Sequence, residues 1–192
     1  AYAFSRMRFR GRRVGLISLM LIQMFPQFLA IVAIFLIFST VTELWPEVGF
    51  NTPWGLMMLY LGVALGANTW LMKGFFDTVP RELDESATMD GASHAQVFFR
   101  IILPLAAPIL AISGLLSFIG TINEFLIANV FLTDIESKTL SVGMYGLIAG
   151  ERNNNFGIFC AGTLLTAVPT VVVFQFLQRY IVSGLTFGAV KG

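Results

Sequence analysis

The chain alternates long apolar runs with short polar breaks, and the lengths of the runs predict helices able to cross a membrane. The first run covers 14–38 and carries Pro26, which predicts one kinked span. A polar stretch with Glu43, Trp45, Pro46, Glu47 and Asn51 leads to a second run, 54–72, just long enough to span. The third run covers 105–131 and the fourth 156–176, separated by a polar loop over 132–155. The expected fold class is therefore all-α: a multi-span helical membrane protein with four spans in this chain, treated as a single domain over 1–192.

One densely charged segment, TVPRELDESATMDGASHAQVFFRIILPLAAP over 78–108, lies between the second and third runs. Thr78 reads as a helix cap with Pro80 in the first turn, where a missing N–H costs nothing. Val79, Leu83 and Ala87 then form an apolar stripe opposite Glu82, Glu85 and Asp90. Gly91 reads as the stop, because a left-handed residue bearing a Cβ costs roughly 1 kcal/mol or more. Ser93 and Gln96 have the spacing of a capping box. Val97, Phe98, Ile101, Ile102 and Leu105 carry an apolar face onward, and Pro104 and Pro108 mark a bend. The expectation is a helix-turn-helix elbow over 73–104, with one apolar and one acidic edge, shaped to dock in a groove of another protein. The plainer reading is an amphipathic connector between two spans.

Composition strengthens the membrane reading. A chain of 192 residues with 56% hydrophobic and only 12% charged residues is too apolar for a soluble domain of this size. Net charge of +1 decides nothing, but the placement of the charges does. Arg6, Arg8, Arg10, Arg12, Arg13, Lys73, Arg81, Arg100, Arg179 and Lys191 fall on one side of the predicted spans, leaving Lys138 and Arg152 on the other. That bias predicts that both ends and the elbow are cytoplasmic. One cysteine, Cys160, excludes an internal disulfide, and one histidine, His94, excludes a histidine-rich metal site. The opening AYAF reads as the last turn of an earlier apolar helix, so helices N-terminal to this chain are expected to be missing from it.

No catalytic constellation is legible: the chain has no GxxxxGK[ST] phosphate loop and no carboxylate pair within a run. It is read as no enzyme, without catalytic or metal-ligating residues. Glu124, beside Asn123, lies inside the third run, where a carboxylate costs about 2.5–3.5 kcal/mol on insertion scales. It reads either as a translocation-pathway residue facing water or as an interhelical hydrogen-bond acceptor. Asn68, Gln23 and Gln175 read as interhelical contacts. The outer loop ends in Gly150, Glu151, Arg152, Asn153, Asn154 and Asn155, a turn-prone tip rich in amides, which is either a contact loop or ordinary solvated chain.

The elbow also resembles a known pattern. Glu85-Ser86-Ala87, three residues, Gly91, nine residues, Ile101, one residue, then Leu103-Pro104 is similar to the E-A-A loop of ABC importer permeases; Ser86 replaces the first alanine with another small residue. The stretch from Ala1 to Arg6, Phe25-Pro26 and the ending GLTFGAVKG resemble the maltose-type branch of that family. The resemblance covers essentially the whole chain. It implies a cytoplasmic-membrane permease subunit that moves maltose, maltodextrin or a related oligosaccharide. Leu83, Ala87 and Phe98 would fill a groove of a separate ATP-binding cassette ATPase, Glu85 would meet a basic group there, and Gly91 would set the helix angle. The implied partners are an ATPase homodimer that itself binds ATP and magnesium, a second permease subunit, an external sugar-binding protein reached by the 150–155 tip, the sugar and lipid, but no nucleic acid. No cofactor is expected in this chain. The rivals are a self-contained channel or secondary transporter, a permease for another small solute, or a membrane anchor.

Overall fold

The computed structural model describes residues 1–149 and 155–189, and all regular structure among them is helical. In chain order the helices are α1 (Tyr2–Arg6), α2 (Arg12–Met24), α3 (Gln27–Leu44), α4 (Pro53–Thr78), α5 (Glu82–Met89), α6 (His94–Leu105), α7 (Ala107–Asn123), α8 (Leu126–Phe131), α9 (Leu140–Ile148) and α10 (Phe156–Ala189). Among the described residues two helices, Pro53–Thr78 and Phe156–Val182, are long and apolar enough to cross a membrane, and the number rises to four if each of two bent pairs makes one span.

The bends are sharper than the sequence predicts. The first apolar run is not a kinked helix but two helices turned by 102°. Pro26 crowds the residue before it out of the helical region, so Phe25 is extended at φ −71°, ψ 132°, and α2 ends at Met24. The third run is likewise broken. Glu124 leaves the helix at φ −66°, ψ 125°, and α8 restarts after Phe125. A further bend of 71° separates α6 from α7. Within α6, residues Phe98–Ile102 wind as a π turn. Pro104 explains this locally, because it has no N–H for the Arg100 carbonyl and its ring crowds that position.

Two other expectations are corrected. Helix α4 runs on to Thr78, past the predicted end of the second run, and Lys73 pairs with Asp77 on its exposed last turns. Thr78 is therefore no cap for α5: its hydroxyl donates to the Phe75 carbonyl, and extended Val79 with Pro80 ends α4 instead. The polar loop after the third run contains a helix of its own, α9, which lies on α10. Its residues, LSVGMYGLI, are mostly apolar, and the Ser141 hydroxyl donates to the Ile122 carbonyl at the end of α7.

Two small cores hold opposite ends of α4. At the Pro53 end, Ile31 and Phe38 of α3 meet Ile127 and Phe131 of α8, with the rings of Phe50 and Phe131 stacked at 5.3 Å. Asn51 fastens this end. It is the one non-glycine with positive φ among the described residues, at 59°. Its side-chain oxygen accepts from the Thr133 and Asp134 amides at 2.6 and 3.0 Å, while its own N–H donates to the Phe131 carbonyl. At the other end, Met72 and Phe76 of α4 join Ala87, Val97, Ile102 and Ala106. Between the cores the spans share few buried side chains: none of the most apolar window of α10 is buried within the chain, and 17% of that of α4 is. Their outward leucines, valines and phenylalanines fit hydrocarbon or other helices.

Replacing Asn51 with Ala removes an acceptor shared by two backbone amides and leaves a strained backbone in place. The expected cost is about 1–3 kcal/mol, read as a lower unfolding midpoint in detergent, whereas Asn51→Asp, which keeps the accepting oxygen, is expected to lose less.

Candidate functional site

The elbow is built by hydrogen bonds rather than by a loose loop. At the end of α5 the Gly91 amide donates to the Thr88 carbonyl and the Ala92 amide to the Ala87 carbonyl, both at 3.0 Å, the two bonds of a Schellman cap. Gly91 itself sits at φ +85°, and a Cβ added there would meet nothing within 4 Å. The requirement for glycine is thus conformational, not one of space. Two residues on, Ser93 and Gln96 close the predicted capping box: the Ser93 amide donates to Gln96 Oε1 at 2.8 Å and the Gln96 amide to Ser93 Oγ at 3.3 Å.

Packing fixes the elbow against the end of α4. Val97 and Ile102 are 1% and 0% exposed, and burying side chains of this size contributes roughly 1.5–3 kcal/mol each. Ala87, at 9%, sits in the same core and turns toward its own chain. Phe98 is half-buried and its ring lies 4.7 Å from that of Tyr2. Ile101 and Leu103 are half-buried, and Pro104 is exposed. The face turned outward holds Leu83 at 40% exposure, Met89 at 89%, and exposed Glu82, Glu85, Ser86 and Asp90. Three acidic residues, Glu82, Asp84 and Glu85, occupy the first turn of α5, where the helix dipole favours negative charge.

Helix α1 clasps the elbow from the side, which sequence reasoning missed. The Arg6 guanidinium is paired with Asp84 of α5 at 2.9 Å and donates to the Val79 carbonyl at 2.6 Å. Ser5 Oγ donates to Asp77 at 2.6 Å. Arg12 donates to the carbonyls of Phe4 and Ser5, holding the end of α1 in turn. Burial, then the charge of Asp84, pushes the Tyr2 phenol above its ordinary pKa against the opposing pull of Arg6. A groove of about 710 Å³ remains between α1 and the elbow, with Arg8, Arg81, Glu85 and Met89 on its walls. The only signal in the sequence was the Ala1–Arg6 stretch of the resemblance, since a pairing this distant along the chain has no periodicity to betray it.

A second polar region lies between α4 and α7. Asn68 donates to Ser117 Oγ at 3.2 Å and accepts from Ser113 at 2.5 Å, the interhelical contact expected for it. Glu124 accepts from the amides of Ile127 and Ala128 at 2.8 and 3.0 Å and from the Tyr60 hydroxyl at 2.8 Å. Its carboxylate satisfies N–H groups at the start of α8 that have no partner within the helix, so the break in the third run and the charge inside it account for each other. A groove of about 490 Å³ runs past Tyr60, Asn68, Ser117, Thr121 and Glu124. Asn123 is exposed and donates back to the Ile119 carbonyl. Of the predicted tip, Gly150, Glu151, Arg152, Asn153 and Asn154 lie outside the described residues. Asn155 is exposed, and its carbonyl accepts from the Phe159 amide. Among the described residues no three His, Cys, Asp or Glu side chains converge as metal ligands would.

Comparison with known proteins places this geometry. Residues 1–186 match the family described as binding-protein-dependent transport system inner membrane component. The chain is 42% identical over 192 residues to the galactooligosaccharides transport system permease protein GanQ of Bacillus subtilis (strain 168), spanning 100% of this chain and 66% of that protein. It is 43% identical over 192 residues to the maltose/maltodextrin transport system permease protein MalG of Vibrio vulnificus (strain YJ016), covering 64% of it. The maltodextrin transport system permease protein MdxG of Bacillus subtilis (strain 168) is 40% identical over 191 residues. The chain thus spans just under two thirds of the length of these relatives. Among solved structures, a bacterial ABC transporter involved in the import of the acidic polysaccharide alginate superposes with a TM-score of 0.66 at 24% identity, over 93% of this chain and 65% of that one. That likeness speaks for the fold.

Because only the backbone of Gly91 demands glycine, Gly91→Asn is expected to keep α5 nearly as stable as in the parent protein. Gly91→Val should loosen it by more than about 1 kcal/mol. Hydrogen exchange at the α5 amides checks the pair: comparable protection in both variants would contradict a conformational role.

Proposed function

The chain belongs to the family of binding-protein-dependent transport system inner membrane components, and from that premise we propose that it is the permease subunit of an ABC importer for an oligosaccharide of the maltodextrin or galactooligosaccharide class. The observation that carries the reading is the elbow: a short capped helix, rigidly seated on the end of a span, presenting Leu83, Glu85, Ser86 and Met89 outward. Such a handle serves a partner that moves it, and this chain carries no phosphate-binding loop of its own.

In this reading the elbow faces the cytoplasm, as do both ends of the chain, and an ATP-binding cassette ATPase homodimer grips it. ATP and magnesium bind to that partner. Leu83 and Met89 enter its groove, Glu85 meets a basic group, and Gly91, Ile101, Leu103 and Pro104 keep the geometry. Ala87 and Phe98 support the handle from inside. Closure of the ATPases moves the elbow as a rigid body, and α4 and α7 follow it. A second permease subunit completes the path, and an external sugar-binding protein delivers the sugar at the opposite end, where the 150–155 tip belongs. Glu124 holds open the helix break beside the α4–α7 groove, and Asn123 stands next to it; both belong to the solute path in this account. A self-contained channel or an anchor gives no reason for a glycine-set elbow.

With the exposed Cys160 first replaced by serine, cysteines at Ser86 and Met89 are expected to crosslink to a nucleotide-hydrolysing subunit in intact membranes. A cysteine at buried Ala87 should react far less. Gly91→Val should abolish uptake while the subunit stays inserted. Labelling of Ser86 and Met89 from outside the cell, or capture of lipid alone, would overturn the proposal.

A further inference from the structure

Resting on that reading, we infer that α1 is a second grip on the elbow and that the Arg6–Asp84 pair is a positioning joint through which movement of α5 reaches the spans. The covalent route from α5 to α4 is poor for this purpose. It runs through extended Val79 and Pro80 to Arg81, whose carbonyl already belongs to the first turn of α5, so no helical hydrogen bond carries α4 across into α5. The noncovalent route spans that link directly. Arg6 touches both sides of the link at once, the Val79 carbonyl and the Asp84 carboxylate, and its side chain is only 8% exposed, against 21% for Asp84.

The neighbouring contacts make the same bridge. Ser5 grips Asp77 on the last turn of α4, and the Tyr2 ring is wedged between Phe76 of α4, at 5.7 Å, and Phe98 of α6, at 4.7 Å. One five-residue helix thus ties α4, α5 and α6 into a single body. The ion pair is the member of the set that acts on α5 itself. A guanidinium this little exposed is costly without a counter-charge, and Arg6 is held by the Asp84 carboxylate at 2.9 Å as an ion pair and by one directional hydrogen bond, to the Val79 carbonyl. An exposed surface pair would not transmit force in this way, because its geometry is loose.

The test uses the complete importer, with its ATPase and binding protein, in proteoliposomes, with radiolabelled maltotriose as the probe and ATP hydrolysis followed in parallel. Arg6→Gln removes the charge without leaving an unpaired cation in the buried site. It is expected to assemble and hydrolyse ATP but to move about tenfold less sugar per ATP. The exchange of partners, Arg6→Asp with Asp84→Arg, is expected to recover part of that ratio; a purely structural role would instead lower assembly or ATP hydrolysis in Arg6→Gln and leave the sugar moved per ATP unchanged. An unchanged ratio in Arg6→Gln, or equal loss of ATP hydrolysis and uptake without recovery in the exchange, overturns the joint while leaving the Proposed function standing. A parent complex that neither crosslinks at Met89 nor couples ATP to uptake overturns both.

Discussion

The left-handed turn at Gly91 is the constraint on which the remaining arrangement depends. Its φ of +85° lets two successive amides close back on α5, so the Thr88 and Ala87 carbonyls at the helix end are satisfied and the chain reverses within a few residues. That reversal brings Val97 and Ile102 onto Met72 and Phe76 and turns Ala87 in to meet them. A core of this kind gains from the exclusion of water, a force that lipid-facing spans lack between one another. A packed, water-excluding core is therefore built where the proposed partner would pull.

Inside the apolar runs the governing rule differs: backbone groups freed by a break must find partners within the chain. Each break has its own solution. After Pro26, helix α3 restarts with the Leu29 and Ala30 amides on the Pro26 carbonyl. At Glu124 the carboxylate supplies the acceptors that the start of α8 needs. At the Pro53 end of α4, Asn51 collects the amides of the chain that follows α8. These devices give backbone groups at each bend a partner within the chain, and they leave a polar seam between α4 and α7 in which Tyr60 bonds to Glu124 and Asn68 to Ser117 along one groove.

Features written locally were legible in the sequence. The Gly91 stop, the Ser93–Gln96 box and the apolar runs all follow from residues a few positions apart, and the structure has them. The breaks are not legible because hydropathy does not register a change of direction: 105–131 is predominantly apolar, with Glu124 its one charged residue, yet it contains a helix end and a restart. The helix over Leu140–Ile148 has no clear signal in the sequence because its glycines and its position between polar residues mask a short apolar segment. The Arg6 contacts could not be foreseen, since they depend on α4 and α1 lying side by side, a fact of packing with no trace in spacing. Ala87 shows the same limit: periodicity put it on the apolar edge of α5, but only the fold says that this edge is already occupied.

The account rests on the elbow and the end of α4 moving as one body. Distances between spin labels decide this directly, measured in the assembled complex with and without trapped nucleotide. One pair joins Ser86 to Trp54 at the far end of α4, and the other joins Ser86 to the corresponding elbow of the second permease subunit. The account predicts that the distance within the chain stays fixed while the distance between elbows shortens. A within-chain distance that changes on trapping, with the elbows no closer, would contradict it.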